Sequence, residues 1–175
     1  MLAGHIGIAI GAHGIRKTVP LWTLILAAQL PDWTDGSLCL AGAQSAIPGE
    51  YSHSFLAVVL LAALATVAWY AVSRDASDSL LVGAVVISHA VGDYFTGLKP
   101  SWPGGPMIGL ELYERPSLDF ILEASVIVAG WFIYQRSFPR ERRYSRNVLL
   151  LLAALLLIQV AADIVLSLSP GLKKC

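Results

Sequence analysis

The chain has 175 residues, 56% of them hydrophobic and only 14% charged, against about 25% charged in an ordinary soluble domain. That balance excludes a water-soluble globular fold, and 12 basic against 12 acidic residues leave no surplus charge to hold a nucleic acid. What remains is an integral membrane protein, read as a single helical domain over residues 1–175.

The first apolar stretch, Leu2 to Ile15, has no basic residue ahead of it and contains His5 and His13. It reads as a retained helix rather than a cleaved leader. The second, Val19 to Leu30, opens at Pro20 and closes at Pro31, both natural helix boundaries. Each holds only about 14 residues, roughly 20 Å as a helix, where a bilayer crossing needs about 20 residues. They are either short spans in a thinned region or a helical hairpin packed against the others. Ser54 to Val72, Leu80 to Gly97 and Val148 to Leu168 have full length; Leu118 to Tyr134 is slightly shorter and carries Glu123. Asp75 to Ser79 reads as a tight polar turn, and Lys99 to Pro116 as a Pro- and Gly-rich loop whose Trp102 and Tyr113 suit a membrane interface. The expected fold is all-α: a polytopic membrane helical bundle of about six membrane helices, the first two short. Cys39 and Cys175 lie far apart in the chain, and unpaired thiols are the expectation.

With six crossings, Arg16, Lys17, Arg74, Arg136, Arg140, Arg142, Arg143 and Arg146 fall on one side, and Lys99, Arg115, Lys173 and Lys174 on the other. The arginine-rich side is then cytoplasmic, with both termini outside.

Ionisable residues at membrane depth cost roughly 2.5–3.5 kcal/mol each on insertion scales and mark function. The same alternation of crossings brings His5, Asp32, Asp35, His53, His89, Asp93, Asp119, Glu123 and Asp163 near one outer face, although hydrophobicity and prolines alone defined it. His89 and Asp93 are four residues apart and share a helical face. An imidazole and a carboxylate so placed form a half-site for a divalent metal, which His53, Asp32 and His5 would complete. Asp35 is either a further ligand or a solvated or capping carboxylate. His13, beside Arg16 and Lys17, reads as an inner-interface residue. Asp119 suits a helix first turn. Glu123, one turn deeper, is an outer ligand, a hydrogen-bond partner to a histidine or a general base. Lys99 and Arg115 either meet an anionic head group or snorkel to the interface.

Gly4-His5, Leu30-Pro31-Asp32-Trp33-Thr34-Asp35, Tyr51-Ser52-His53-Ser54 and Ser88-His89-Ala90-Val91-Gly92-Asp93-Tyr94-Phe95-Thr96-Gly97 follow one another in that order. This series resembles the membrane-bound, metal-dependent hydrolase family that includes the LexA-regulated inner-membrane proteins of bacteria. That family's pattern is an N-terminal His, a Pro-Asp-x-Asp turn, a Thr-His-Ser and a His-x3-Asp-x2-Thr. Here Asp35 is set one residue further from Asp32, and Pro48-Gly49-Glu50 stands where the family often has His-Arg-Gly. The resemblance implies a bacterial cytoplasmic (inner) membrane location and hydrolase activity.

The expected function is hydrolysis with one or two divalent ions, zinc or manganese/magnesium, held by His5, Asp32, His53, His89 and Asp93. Glu123 or Asp35 would accept the proton. The expected partners are membrane lipids, with a lipid or lipid-linked phosphoester as substrate. The alternative is a non-catalytic metal-binding membrane protein or an ion or proton carrier. A conduit needs polar groups along the whole span, whereas these gather at one face.

Overall fold

The computed structural model describes residues 3–43, 45, 47 and 49–168. Among them the chain forms seven α-helices: α1 (Ala3–Ile15), α2 (Leu21–Ala28), α3 (Leu30–Leu40), α4 (Phe55–Ser73), α5 (Ala76–Thr96), α6 (Pro116–Arg136) and α7 (Arg146–Leu168). Between α5 and α6 a small antiparallel hairpin pairs β1 (Lys99–Pro100) with β2 (Met107–Ile108).

Four helices, α4, α5, α6 and α7 as far as Val165, are long and apolar enough to cross a bilayer. Their outward faces show why: Leu56, Leu60, Leu64 and Val67 of α4 and Leu150, Leu157 and Ile158 of α7 are all exposed, a burden that only lipid relieves. Among the described residues the helices long and apolar enough to span are therefore four, where about six membrane helices were expected. α1 has 13 residues and is wrapped by its neighbours, with Ala3, Gly4, His5, Gly7, Ala9, Ile10, Gly11 and Ala12 buried.

Glycine makes that wrapping possible. A Cβ on Gly7 would stand 2.8 Å from the Ile127 Cα, and one on Gly11 3.1 Å from the Gly130 Cα. Gly7 and Gly11 are four apart, so they line one stripe along which α1 lies directly on the α6 backbone. Ala3, Ile10, Ile127 and Leu155 close the core there, while Ala9, Leu24, Val58, Ala62, Val82 and Val86 join α1, α2, α4 and α5.

The second apolar segment forms α2, and a further helix, α3, begins at its last residue, Leu30. Gln29 leaves helical geometry between them (φ −103°, ψ 6°), and Pro31 sits in the first turn of α3, where its missing N–H has no intrahelical partner to lose. The expected acidic turn is thus helical, with Asp32 in the first turn of α3.

α4 and α5 are joined by only two residues, Arg74 and Asp75. Arg74 turns left-handed (φ 57°), and the Asp75 carboxylate caps α5 by accepting from the Asp78 N–H at 2.9 Å. At that end Arg16 pairs with Asp75 and Asp78, and the Thr18 hydroxyl donates to Asp78 at 2.8 Å. Lys17 donates to the Ser137 carbonyl at 2.9 Å. The end of α1, the start of α5 and the end of α6 therefore share one basic end of the bundle. His13 belongs to its approach, bonded through Nδ1 to the Val19 carbonyl at 2.9 Å.

Cys39, near the end of α3, is disulfide-bonded, which corrects the expectation of a free thiol there. Cys175, like Lys173 and Lys174, lies outside the described residues.

Candidate metal centre

At the opposite end of the bundle, four elements each bring one or two polar side chains to a common point. α1 supplies His5 from its first turn, α3 supplies Asp32, the turn before α4 supplies His53, and α5 supplies His89 and Asp93. Ser54 fixes the start of α4, its hydroxyl accepting from the Ala57 N–H, so His53 is the last residue before the cap.

The five residues meet. Asp93 Oδ1 is 3.6 Å from His5 Nε2, and Asp93 Oδ2 is 3.4 Å from His89 Nε2 and 3.6 Å from His53 Nε2. Asp32 Oδ1 lies 3.0 Å from His53 Nε2 and 3.7 Å from His89 Nε2. The rings of His5 and His89 stack with centroids 3.9 Å apart. His5 and His89 are wholly buried, and Asp93 and His53 nearly so. Asp32, whose side chain is 42% exposed, forms the open edge.

The tautomers of two imidazoles follow from their other contacts. His89 Nδ1 lies 2.8 Å from the Ala28 carbonyl, which only accepts, so that nitrogen carries the proton. The Ser52 hydroxyl donates to Asp35 Oδ1 at 2.8 Å and lies 2.8 Å from His53 Nδ1. Having one proton, already given to Asp35, it accepts from His53. Both Nε2 atoms then direct a lone pair at carboxylate oxygens. Lone pairs face each other stably only across a proton or a cation. Protonating all the rings would stack like charges within a few ångströms, whereas one divalent ion relieves every contact. The spacing agrees. Ligands about 2.1 Å from a tetrahedral ion stand about 3.4 Å from one another, close to the separations of 3.4–3.7 Å around Asp93 and His89. His5, His89 and Asp93 form one such group, and Asp32, His53 and His89 a second that shares His89. The residues fit a divalent ion.

The other acids stand around this centre. Glu123 is buried and accepts from the Gly4 N–H at 3.1 Å, which anchors the start of α1 beside His5. Gln159 accepts from the Ala3 N–H at 3.4 Å and donates to Asp163 at 2.7 Å, tying α7 to the same point. Asp119 is buried in the first turn of α6. Lys99 Nζ lies 3.2 Å from Asp93 Oδ2. Tyr113, in the turn Leu112–Glu114, is half-buried, and its partial removal from water pushes its phenol upward. Sequence reasoning passed over Ser52, the Ala28 carbonyl and Gln159. Only Ser52 gave a signal, as a hydroxyl beside the histidine of a recurrent motif.

A multi-pass helical membrane protein with a buried histidine–carboxylate cluster at one end of its bundle is the class that fold and site define. Within that class, the chain belongs to the YdjM inner membrane protein family, which it matches over residues 1–165, a span that includes every residue of the cluster. It is a multi-pass inner membrane protein. No curated protein and no solved structure matches the chain.

Proposed function

We propose that this protein is a membrane-embedded, metal-dependent hydrolase acting on a lipid or lipid-linked phosphoester at the outer face of the inner membrane. The supporting observation is the meeting of His5, Asp32, His53, His89 and Asp93, with two imidazole lone pairs aimed at carboxylates. Three imidazoles favour zinc over magnesium, and two carboxylates leave manganese open. When bound, such an ion polarises a phosphoryl oxygen and activates water for attack.

The chain's own groups supply the rest. Asp32 marks the side from which water and substrate enter. Asp35, half-buried beside it, is the better placed proton acceptor, and Ser52 couples it to His53. Glu123, enclosed and holding the Gly4 N–H, sets the position of His5. Lys99 offers a cation to an incoming phosphate. The alternative, a static metal site or ion carrier, draws on the same residues. The absence of any charged residue in α4 beyond Ser54 and the clustering at one end speak against a continuous polar path.

Elemental analysis of purified protein beside His89→Ala and Asp93→Ala tests the site, and the expected result is bound divalent metal lost in both variants. Equal metal content in all three would end the proposal. Phosphate release from a phospholipid panel then tests the reaction. Asp35→Asn should abolish turnover while keeping metal, and Glu123→Gln should retain both; absence of turnover on every lipid would leave the static site as the better reading.

A further inference from the structure

A groove of about 330 Å³ opens on the outward side of α4 and α5 beneath the hairpin, within the range of about 300–1,000 Å³ typical of small-molecule sites. Phe55, Ile87, Val91, Phe95 and Ile108 line it, and all but Ile87 are exposed. Both flanking helices are long and apolar enough to cross the membrane, so the medium that fills the groove is hydrocarbon.

Two of its polar lining residues reach the cluster. His53 and Lys99 both line the groove; His53 touches Asp32, and Lys99 Nζ lies 3.2 Å from Asp93. The hairpin roof is held in place: the Phe55 N–H donates to the Ser101 carbonyl at 3.1 Å, and the Leu110 N–H to the Tyr94 carbonyl at 2.8 Å. An apolar trough with a lysine and a histidine at its head has the polarity of an amphiphile, and the lysine selects a negative head.

We infer that this groove seats the acyl chain of a phosphate-bearing glycerolipid from the surrounding leaflet and delivers its phosphate to Lys99 and the histidine–carboxylate cluster. The inference rests on the hydrolase reading and specifies its substrate class and route of entry. Recognition is then divided between the trough, which is indifferent to head-group identity, and Lys99, which requires an anion.

The test is photolabelling in nanodiscs of phosphatidylcholine doped with phosphatidylglycerol that carries a diazirine on one acyl chain. Peptide mapping should place the adducts in segments 87–95 and 107–108. Val91→Trp, which fills the trough at an exposed position, should reduce them by about tenfold. Leu64→Trp, on the exposed face of α4, should leave them unchanged. Lys99→Ala should weaken competition by unlabelled phosphatidylglycerol while leaving competition by diacylglycerol as it was. Adducts spread evenly over α4 and α7, insensitivity to Val91→Trp, or a cross-linked pair of protein chains through this face would overturn the inference. Metal content read on the same samples separates the two proposals. Labelling without metal would support the groove and sink the hydrolase, and metal without labelling would sink the groove alone.

Discussion

Ser52 shows how much a single hydroxyl settles. Its one proton goes to Asp35, so its oxygen takes the proton of His53 Nδ1 and His53 can offer only Nε2 to the centre. Ser52→Ala removes that constraint without emptying any ligand position. The expected outcome is a folded protein whose metal affinity falls about 10–100-fold, as for other residues that orient a ligand, measured by competition with a chromophoric chelator. Ser52→Thr should recover most of the loss, and His13→Ala, at the far end of α1, should change nothing. An unchanged affinity in Ser52→Ala would show that the hydroxyl does not orient the ring. The five residues named for the centre were readable in the sequence because a histidine or acid inside an apolar segment stands out. The Ser52–Asp35 bond was not, since its partners are 17 residues apart and serine is unremarkable at a helix start. Glu123 was readable as an anomaly but not as an anchor for α1, because its partner is a backbone N–H 119 residues away.

Among the elements, α1 matters most because it carries His5 while being too short to stand in a membrane alone. Its place is set by the stripe of Gly7 and Gly11 against Ile127 and Gly130 of α6. Any side chain there meets backbone, which cannot swing aside. Gly7→Leu is therefore expected to push α1 off α6, lowering stability by at least the about 1–3 kcal/mol typical of overpacking and releasing metal through displacement of His5. Thermal unfolding in detergent with parallel metal analysis measures both. Gly36→Ala makes the contrast. Nothing lies within 4 Å of its added Cβ, and it sits inside α3, where alanine is favoured over glycine by about 0.5–1 kcal/mol. It should be neutral or slightly stabilising. α4, α6 and α7 fall close to their expected limits because lipid demands an unbroken apolar run and polar residues interrupt it, whereas α5 starts at Ala76, inside the expected polar turn, because Asp75 caps it. α3 was hidden by Pro31, since a proline that ends one helix serves equally as the first turn of the next. The β1–β2 hairpin was hidden because two-residue strands are too short to show alternation.

At the scale of the whole molecule, two ends of opposite character face each other across the bundle, and their orientation decides which leaflet feeds the groove. Arg16, Lys17, Arg74 and the arginines from Arg136 to Arg146 gather at the end remote from the cluster, as the sequence's alternation of crossings required, and such an excess marks the cytoplasmic side. The prediction is that the hairpin faces outward and the α6–α7 turn inward. In a Cys39→Ser, Cys175→Ser background, Pro103→Cys at the exposed hairpin should react with a membrane-impermeant maleimide on intact spheroplasts. Glu141→Cys, exposed among the arginines, should react only after lysis. The reverse pattern would turn the cluster toward the cytosol. The groove would then draw from the inner leaflet, and the charge argument would fail with it, because no arrangement of these helices can separate the two ends that Arg16–Asp78 and His89–Asp93 define on the same α5.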